Sequence, residues 1–434
     1  MMKKTLQLLT ASVLMWVSFA SQAQLVVEIT RGQSDAVPIA VVPYGVEGQP
    51  APTLDVSDII AADLKRSGRF APLDKRDMVD RPTTGEQIRF QDWKYLKSDY
   101  ITVGKVTADG ADHYSVQFEL FNVLNGQRLV GQKIPSATRD LRATAHRVAD
   151  LIFQQLTGIP GAFSTRIAFL NVEGAVPNQR YKMIVADADG ENQQIIANSG
   201  EPLMSPAWSP DGQNLAYVSF ESKNAAIYVQ TLRTGERRRV SARTGVNGAP
   251  AWSPDGHTLA LTLSRKDGDV DVYTLDLSSQ VLTRMTFDPG IDTEPSWSID
   301  GKKIYFTSDR AGGPQIYEID VNDPRNPRRV SFDGSYNARP RVSPDGKQLA
   351  VVHQEGGNFR IAVMDLASRA TQVLTQGRQD ESPSFAPNGA TIIYATQDRG
   401  RGVLATSSVD GRVQQRLAAS AGDVREPVWA PFAK

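Results

Sequence analysis

The chain has 434 residues, 40% of them hydrophobic, which is material enough for two cores. Its 48 lysines and arginines are balanced by 48 aspartates and glutamates, so composition gives no support to a general nucleic-acid-binding role. Cysteine is absent, which excludes disulfides, thiol nucleophiles and thiolate metal sites while leaving the compartment open.

In chain order, Lys3 and Lys4 come first, then a mostly apolar run over 6–19, then the small residues of Ala20-Ser21-Gln22-Ala23. That order reads as a cleaved signal peptide over 1–23. The run falls short of the roughly 20 residues that a spanning helix needs, and no later segment is long and apolar enough, so no transmembrane segment is expected in the mature chain. No cysteine follows the cut to carry a lipid.

Residues 24–160 predict an α/β domain. Its N-terminal arm, 24–35, reads as an edge strand or a loose arm: Gln24, Leu25, Val26, Val27, Glu28, Ile29 and Thr30, then a polar run. Beyond it the pattern predicts a strand over 37–42, a helix over 56–65 and a strand over 100–106. A hairpin of 114–123 and 128–134 turns at Asn125-Gly126. The last element is a helix over 138–157 with the apolar stripe Leu141, Ala145, Val148, Ile152 and Leu156, ended by Gly158 and Pro160.

Residues 161–434 are a repeat. Ser-Pro-Ala-Trp-Ser-Pro-Asp-Gly at 205–212 returns in degraded form, opened by Pro206, Pro250, Pro295, Pro340, Pro383 and Pro427, 43 to 45 residues apart. Such a period fits one four-stranded propeller blade. Within a unit, an extended segment meets a Pro-Asp-Gly turn, in which proline presets φ, aspartate bonds back and glycine takes positive φ. A second strand follows, 215–219 in the first copy and 259–263 in the second, and then a hairpin such as 272–276 with 281–284. The sixth copy is a first strand with no unit after it. Conversely, the strand near 167 and the hairpin of 181–187 with 193–197 have no first strand before them. The reading is an all-β six-bladed propeller, one blade being assembled from both ends and closed by pairing of the C-terminal strand near 167.

No Gly-x-Ser-x-Gly elbow, His-Glu-x-x-His pair or phosphate-cradling glycine loop is present, and the four histidines, His113, His146, His257 and His353, are scattered. No enzymatic activity, cofactor or metal is expected. The Asp-Gly turns have the spacing of turns and lack the alternating oxygen ligands of a calcium loop. Trp208, Trp252, Trp297 and Trp429 recur at one blade position, which favours packing between blades over platforms for sugar stacking. A sensor of glycans or peptidoglycan fragments built on those tryptophans is the alternative function.

Strand directions alternate within a blade, so the loops between blades and those from second to third strand share one face, and the Pro-Asp-Gly turns lie on the other. Loops on the first face differ between copies, which marks them for recognition. At the channel mouth the residues before each opening proline form the candidate partner-binding ring: Met204-Ser205, Asn247-Gly248-Ala249, Thr293-Glu294, Ala338-Arg339, Glu381-Ser382 and Arg425-Glu426. An ordinary strand start would put an extended residue before each proline. The linker enters near 167 on the turn face, where the α/β domain is expected to dock.

A signal peptide, an α/β domain ending in Leu-Thr-Gly-Ile-Pro-Gly-Ala-Phe at 156–163, and six Trp-Ser-Pro-Asp-Gly blades resemble the TolB family of Tol-Pal envelope systems over essentially the whole mature chain. The stretch 202–212 with Leu215-Ala216-Tyr217-Val218 is the most specific piece. The resemblance implies a monomeric, non-enzymatic adaptor in the periplasm, whose propeller mouth receives the peptidoglycan-associated lipoprotein Pal and whose N-terminal region meets TolA. It also implies a part in outer-membrane integrity and in envelope constriction during division, with bacteriocin translocation segments as further ligands of the mouth. Asn247-Gly248-Ala249 and Thr293-Glu294 match the family's partner-contacting loops, and Val246 stands where related sequences can carry histidine.

Overall fold

The structure is a computed structural model that describes residues 28–31, 36–265, 268–417 and 422–433. The expected signal peptide and arm residues Gln24, Leu25, Val26 and Val27 lie outside them.

In the first domain Val37–Val41 lies between two parallel neighbours, Phe70–Pro72 and Tyr100–Ala108, and the sheet continues antiparallel through His113–Asn122 and Arg128–Ala137. Alternation along the strands sorts their side chains. Ile39, Val41, Val116 and Phe118 pack with the helices Val56–Arg66 and Leu141–Thr157, whereas Ala40, Val42, Ile101 and Val103 pack with Trp93 of the short helix Phe90–Tyr95. Asp55 caps the first helix by accepting from the backbone N–H groups of Ser57 and Asp58. Gly158, at φ 74°, ends the last one by donating its N–H to the Gln154 carbonyl.

The second domain is a six-bladed propeller. Blades 1 to 5 span 203–241, 247–284, 292–329, 337–373 and 381–416, and blade 6 joins Asp423–Trp429 to Arg166–Glu173, Arg180–Asp187 and Gln194–Ser199. The closing pair is antiparallel, with Trp429 opposite Ile167. Each of the six contacts between adjacent blades has its own buried apolar cluster, so the ring is held by six small cores instead of one large one. The tryptophans stitch these contacts: the indole N–H of Trp208, Trp252 and Trp297 donates to the carbonyls of Val428, Ala207 and Ala251 on the preceding inner strand, at 3.2, 3.1 and 3.1 Å. Ser209 and Asp211 fasten the turn phrase. Asp211 accepts from the Ser209 hydroxyl (2.5 Å) and the Gln213 N–H (3.0 Å), and the Ser209 hydroxyl accepts from the Asn214 N–H (2.9 Å).

The α/β domain sits on the turn face, over blades 5 and 6. Asn388 donates to the Pro160 carbonyl (2.9 Å), Gln415 to the Lys65 carbonyl (3.4 Å), and Arg69 lies 3.7 Å from Asp410. Gly68 takes φ 67° and abuts Val413 so closely that an added Cβ would fall 2.3 Å from its Cγ1; only glycine fits that seam. Arm residues Glu28–Arg31 form an edge strand on Gln414–Arg416, the outermost strand of blade 5.

Candidate functional site

All six innermost strands are irregular at one place. Their pairing slips between Met204 and Ala207, Gly248 and Ala251, Thr293 and Ser296, Ala338 and Arg341, Glu381 and Ser384, and Arg425 and Val428. Within each slip the residue before proline is left-handed: Ser205 has φ 53°, Ala249 43°, Glu294 56°, Arg339 54°, Ser382 56° and Glu426 48°. The extended geometry expected for a residue before proline is therefore absent from the mouth. A proline cannot donate to the ladder, and the strand resolves this with a bulge that swings the preceding residue out of register. The six swung residues meet around a constriction of about 30 Å³ in the channel.

The ring is wired internally. Arg339 donates through Nε to Glu294 Oε1 at 2.7 Å, while Glu294 Oε2 accepts from the Arg339 N–H (2.9 Å) and the Thr307 hydroxyl (3.0 Å). Arg339 Nη1 also donates to the Ser382 hydroxyl. Across the closing seam, Glu426 accepts from the Ser205 N–H at 2.5 Å. Burial opposes the charge on Arg339, but Glu294, with Glu426 and Glu381 nearby, outweighs it and holds the guanidinium pKa above its ordinary value. Charged groups fixed this way offer a partner hydrogen bonds without reorganisation.

The predicted residues fall into three groups. Ser205, Ala249, Glu294, Arg339, Ser382 and Glu426 form the constriction. Met204, Gly248, Thr293, Glu381 and Arg425 lie one residue before them; Glu381 and Arg425 are exposed, and Arg425 pairs through Nε with Asp423 at 2.8 Å. Asn247 and Ala338 are buried, and the Asn247 amide is occupied by Ser241 and by backbone groups of Arg243 and Gly245, so it shapes its loop from inside.

A depression of about 570 Å³ adjoins the constriction, with Glu294, Arg339, Glu381 and Arg425 on its wall beside the edge-to-face pair Tyr336 and Phe359. Sequence reasoning missed that pair, and it missed Phe287, Ile291 and Phe332, which stand exposed with Val246 in the loops between blades on the same face. A signal for two of them exists: Thr286-Phe287-Asp288 and Ser331-Phe332-Asp333 occupy equivalent places after the fourth strand.

The TolB amino-terminal domain model matches residues 25–129, and the TolB beta propeller domain model matches 153–433. The chain belongs to the TolB family. The Tol-Pal system protein TolB of Thioalkalivibrio sulfidiphilus is 52% identical over 414 residues, 95% of each chain, and that of Nitrosococcus oceani is 54% identical over 410 residues, 94% of each. The crystal structure of TolB from Acinetobacter baumannii superposes with a TM-score of 0.87 at 41% identity, covering 94% of this chain and 100% of that one. TolB is thus a component of the Tol-Pal system, and no helix among the described residues of this family member is long and apolar enough to cross a membrane.

A second cluster in this TolB-family chain joins its two domains. His146 is 1% exposed; its Nδ1 lies 2.6 Å from Asp63, and its Nε2 faces Asp189 and Asp187 of blade 6 at 3.8 and 3.9 Å with no hydrogen-bond partner. Arg66 binds Asp63 at 2.7 Å, and Arg142 binds both Asp187 and Asp189. Asp63, His146 and Asp189 are close enough to share a metal ion. Two guanidinium groups already answer those carboxylates, and a protonated imidazole completes neutrality with three acids, so the donor set fits an ionic latch better than a metal centre. Burial opposes protonation of His146, but the charge of Asp63 prevails and its pKa is raised. Four histidines scattered along the chain carry no signal of this cluster.

Proposed function

We propose that this chain is a non-enzymatic periplasmic adaptor whose channel mouth binds Pal and whose N-terminal region, arm included, binds TolA. The observation that carries the reading is the ring of six left-handed residues. Each non-glycine residue held there costs roughly 1 kcal/mol, and a cost repeated in all six blades is retained where side chains must be aimed. The mouth offers fixed charges at its centre, apolar side chains further out and a depression able to seat a protruding loop, a mixture suited to a protein partner. Docking of the α/β domain on the opposite face leaves the mouth open. Bacteriocin segments would compete for the same seat, and loss of the contact would weaken the outer membrane and its constriction at division. The glycan reading is less well supported, because the indole N–H groups of Trp208, Trp252 and Trp297 tie neighbouring blades together, and that packing role accounts for their recurrence.

Calorimetric titration with the soluble domain of Pal tests it. The parent chain should bind one to one, Glu294→Arg should weaken binding by at least about tenfold, and the exposed Glu381→Gln should weaken it while the Glu294–Arg339 pair stays in place. Absence of binding by the parent chain would sink the adaptor reading; binding indifferent to both changes would remove the mouth from it.

A further inference from the structure

The channel has a second opening. On the turn face it widens into a funnel of about 620 Å³ whose walls are the prolines and aromatic side chains of the repeat phrase, including Trp208, Trp252, Trp297, Phe385 and Trp429. No residue of the α/β domain lines it, so docking of that domain leaves it accessible. The blades are not equivalent here. The two positions after the opening proline read Ala-Trp, Ala-Trp, Ser-Trp, Arg-Val, Ser-Phe and Val-Trp in order. Blade 4 alone gives up its aromatic ring, at Val342, and sets a cation, Arg341, where the others carry a small or apolar residue.

Among the described residues that line the funnel Arg341 alone is charged, and it also lines the constriction below, so it stands where the two meet. Its one hydrogen bond runs from Nη1 to the Pro340 carbonyl at 2.9 Å, and among the described residues it forms no ion pair. Burial pulls its pKa below the ordinary arginine value, with Glu294 acting in the opposite direction. A half-buried arginine that makes one side-chain hydrogen bond among the described residues, under an aromatic vault, is not something the blade fold requires, because five blades do without it. The volume lies within the range of small-molecule sites, and charge complementarity names the occupant's polar end.

We infer that the turn-face funnel is a binding site for an organic carboxylate with a flat apolar body, the carboxylate received by Arg341 and the body by the tryptophan faces. This site is separate from the mouth and stands or falls independently of Pal binding. The shared chemistry has two sources, a free aromatic acid or the C-terminus of a peptide ending in phenylalanine. Titrating the full chain with phenylacetate, followed by tryptophan fluorescence and calorimetry, should give saturable binding, with phenylacetamide at least roughly tenfold weaker. Arg341→Gln should weaken phenylacetate to the level of the amide, and Arg341→Lys should fall between. Tighter binding by the free-acid peptide than by phenylacetate assigns the site to a chain terminus; weaker binding assigns it to a small acid. No saturation by any of these acids in the millimolar range, or equal binding of acid and amide by the parent chain, overturns the inference even if the Arg341 variants fail to fold.

Discussion

Ser205, Ala249, Glu294, Arg339, Ser382 and Glu426 have φ between 43° and 56° although none is glycine or asparagine. Left-handed backbone brings Cβ against the carbonyl, and a β-branched side chain suffers most. Ser205→Val should therefore lower stability by about 1–2 kcal/mol, read from the urea midpoint of tryptophan fluorescence, whereas Ser205→Gly should be nearly neutral because relieved strain is offset by a freer unfolded chain. A valine variant as stable as the parent would mean that the bulge is soft. The positions of these residues were legible from the prolines that follow them, but their conformation was not. Residue type announces left-handed backbone only where Gly, Asn or Asp stands, and here the bulge imposes it from the ladder. Arg341 was legible in principle as a break in the repeat, yet its meaning depends on a vault that exists only when six distant phrases are brought together.

At the scale of elements, the sequence was most readable where a period could be counted. The stripe of Leu141, Ala145, Val148 and Ile152 is buried, at 2% exposure or less, and the second strands of the blades fall where apolar runs follow the turns. Phe70–Pro72 and Phe90–Tyr95 are too short to show a period and were not foreseen. The ionic latch was hidden for another reason: its members come from the helices Val56–Arg66 and Leu141–Thr157 and from the end of Arg180–Asp187, and only docking makes them neighbours. Its pH dependence has a definite sign. The folded pKa of His146 is raised, so its contribution is full below the unfolded value of about 6.5 and is lost as pH rises through the folded value. Burial works to raise the pKa of Asp189, but Arg66, His146 and Arg142 hold it below the ordinary carboxylate value, so its contribution is lost in acid as pH falls through the folded value. Proteolysis of the 158–165 connection should accelerate in the parent chain as pH rises from about 6.5 upward and show no such rise in His146→Gln. A flat parent profile would leave the latch without a protonation step.

The whole molecule has two opposed faces with different tenants. The α/β domain occupies the rim of the turn face over blades 5 and 6, the mouth faces away from it, and Glu28–Arg31 lies along the outer edge of blade 5. A partner of the arm and a partner of the mouth can then be held apart on one body. On the proposed reading, removing 24–35 should weaken TolA binding by at least about tenfold in a pull-down or titration while Pal affinity stays within about twofold, since the two surfaces share no residue. Full TolA binding by the shortened chain would take the arm out of the adaptor.

Closure of the ring also joins the two ends of the propeller's chain. Trp429 reaches Thr165 across 264 residues of chain at 2.8 Å, and Arg166–Glu173 keeps an open edge until Asp423–Trp429 arrives beside it. Contacts of such long range carry a large loop-closure cost before they are rewarded. Glu426 rides on that last strand and clasps Ser205 from it, so the seat at the mouth is incomplete until the final strand has been delivered. Any ligand that needs the whole ring thereby selects finished molecules over those still being made, and recognition doubles as an inspection of assembly.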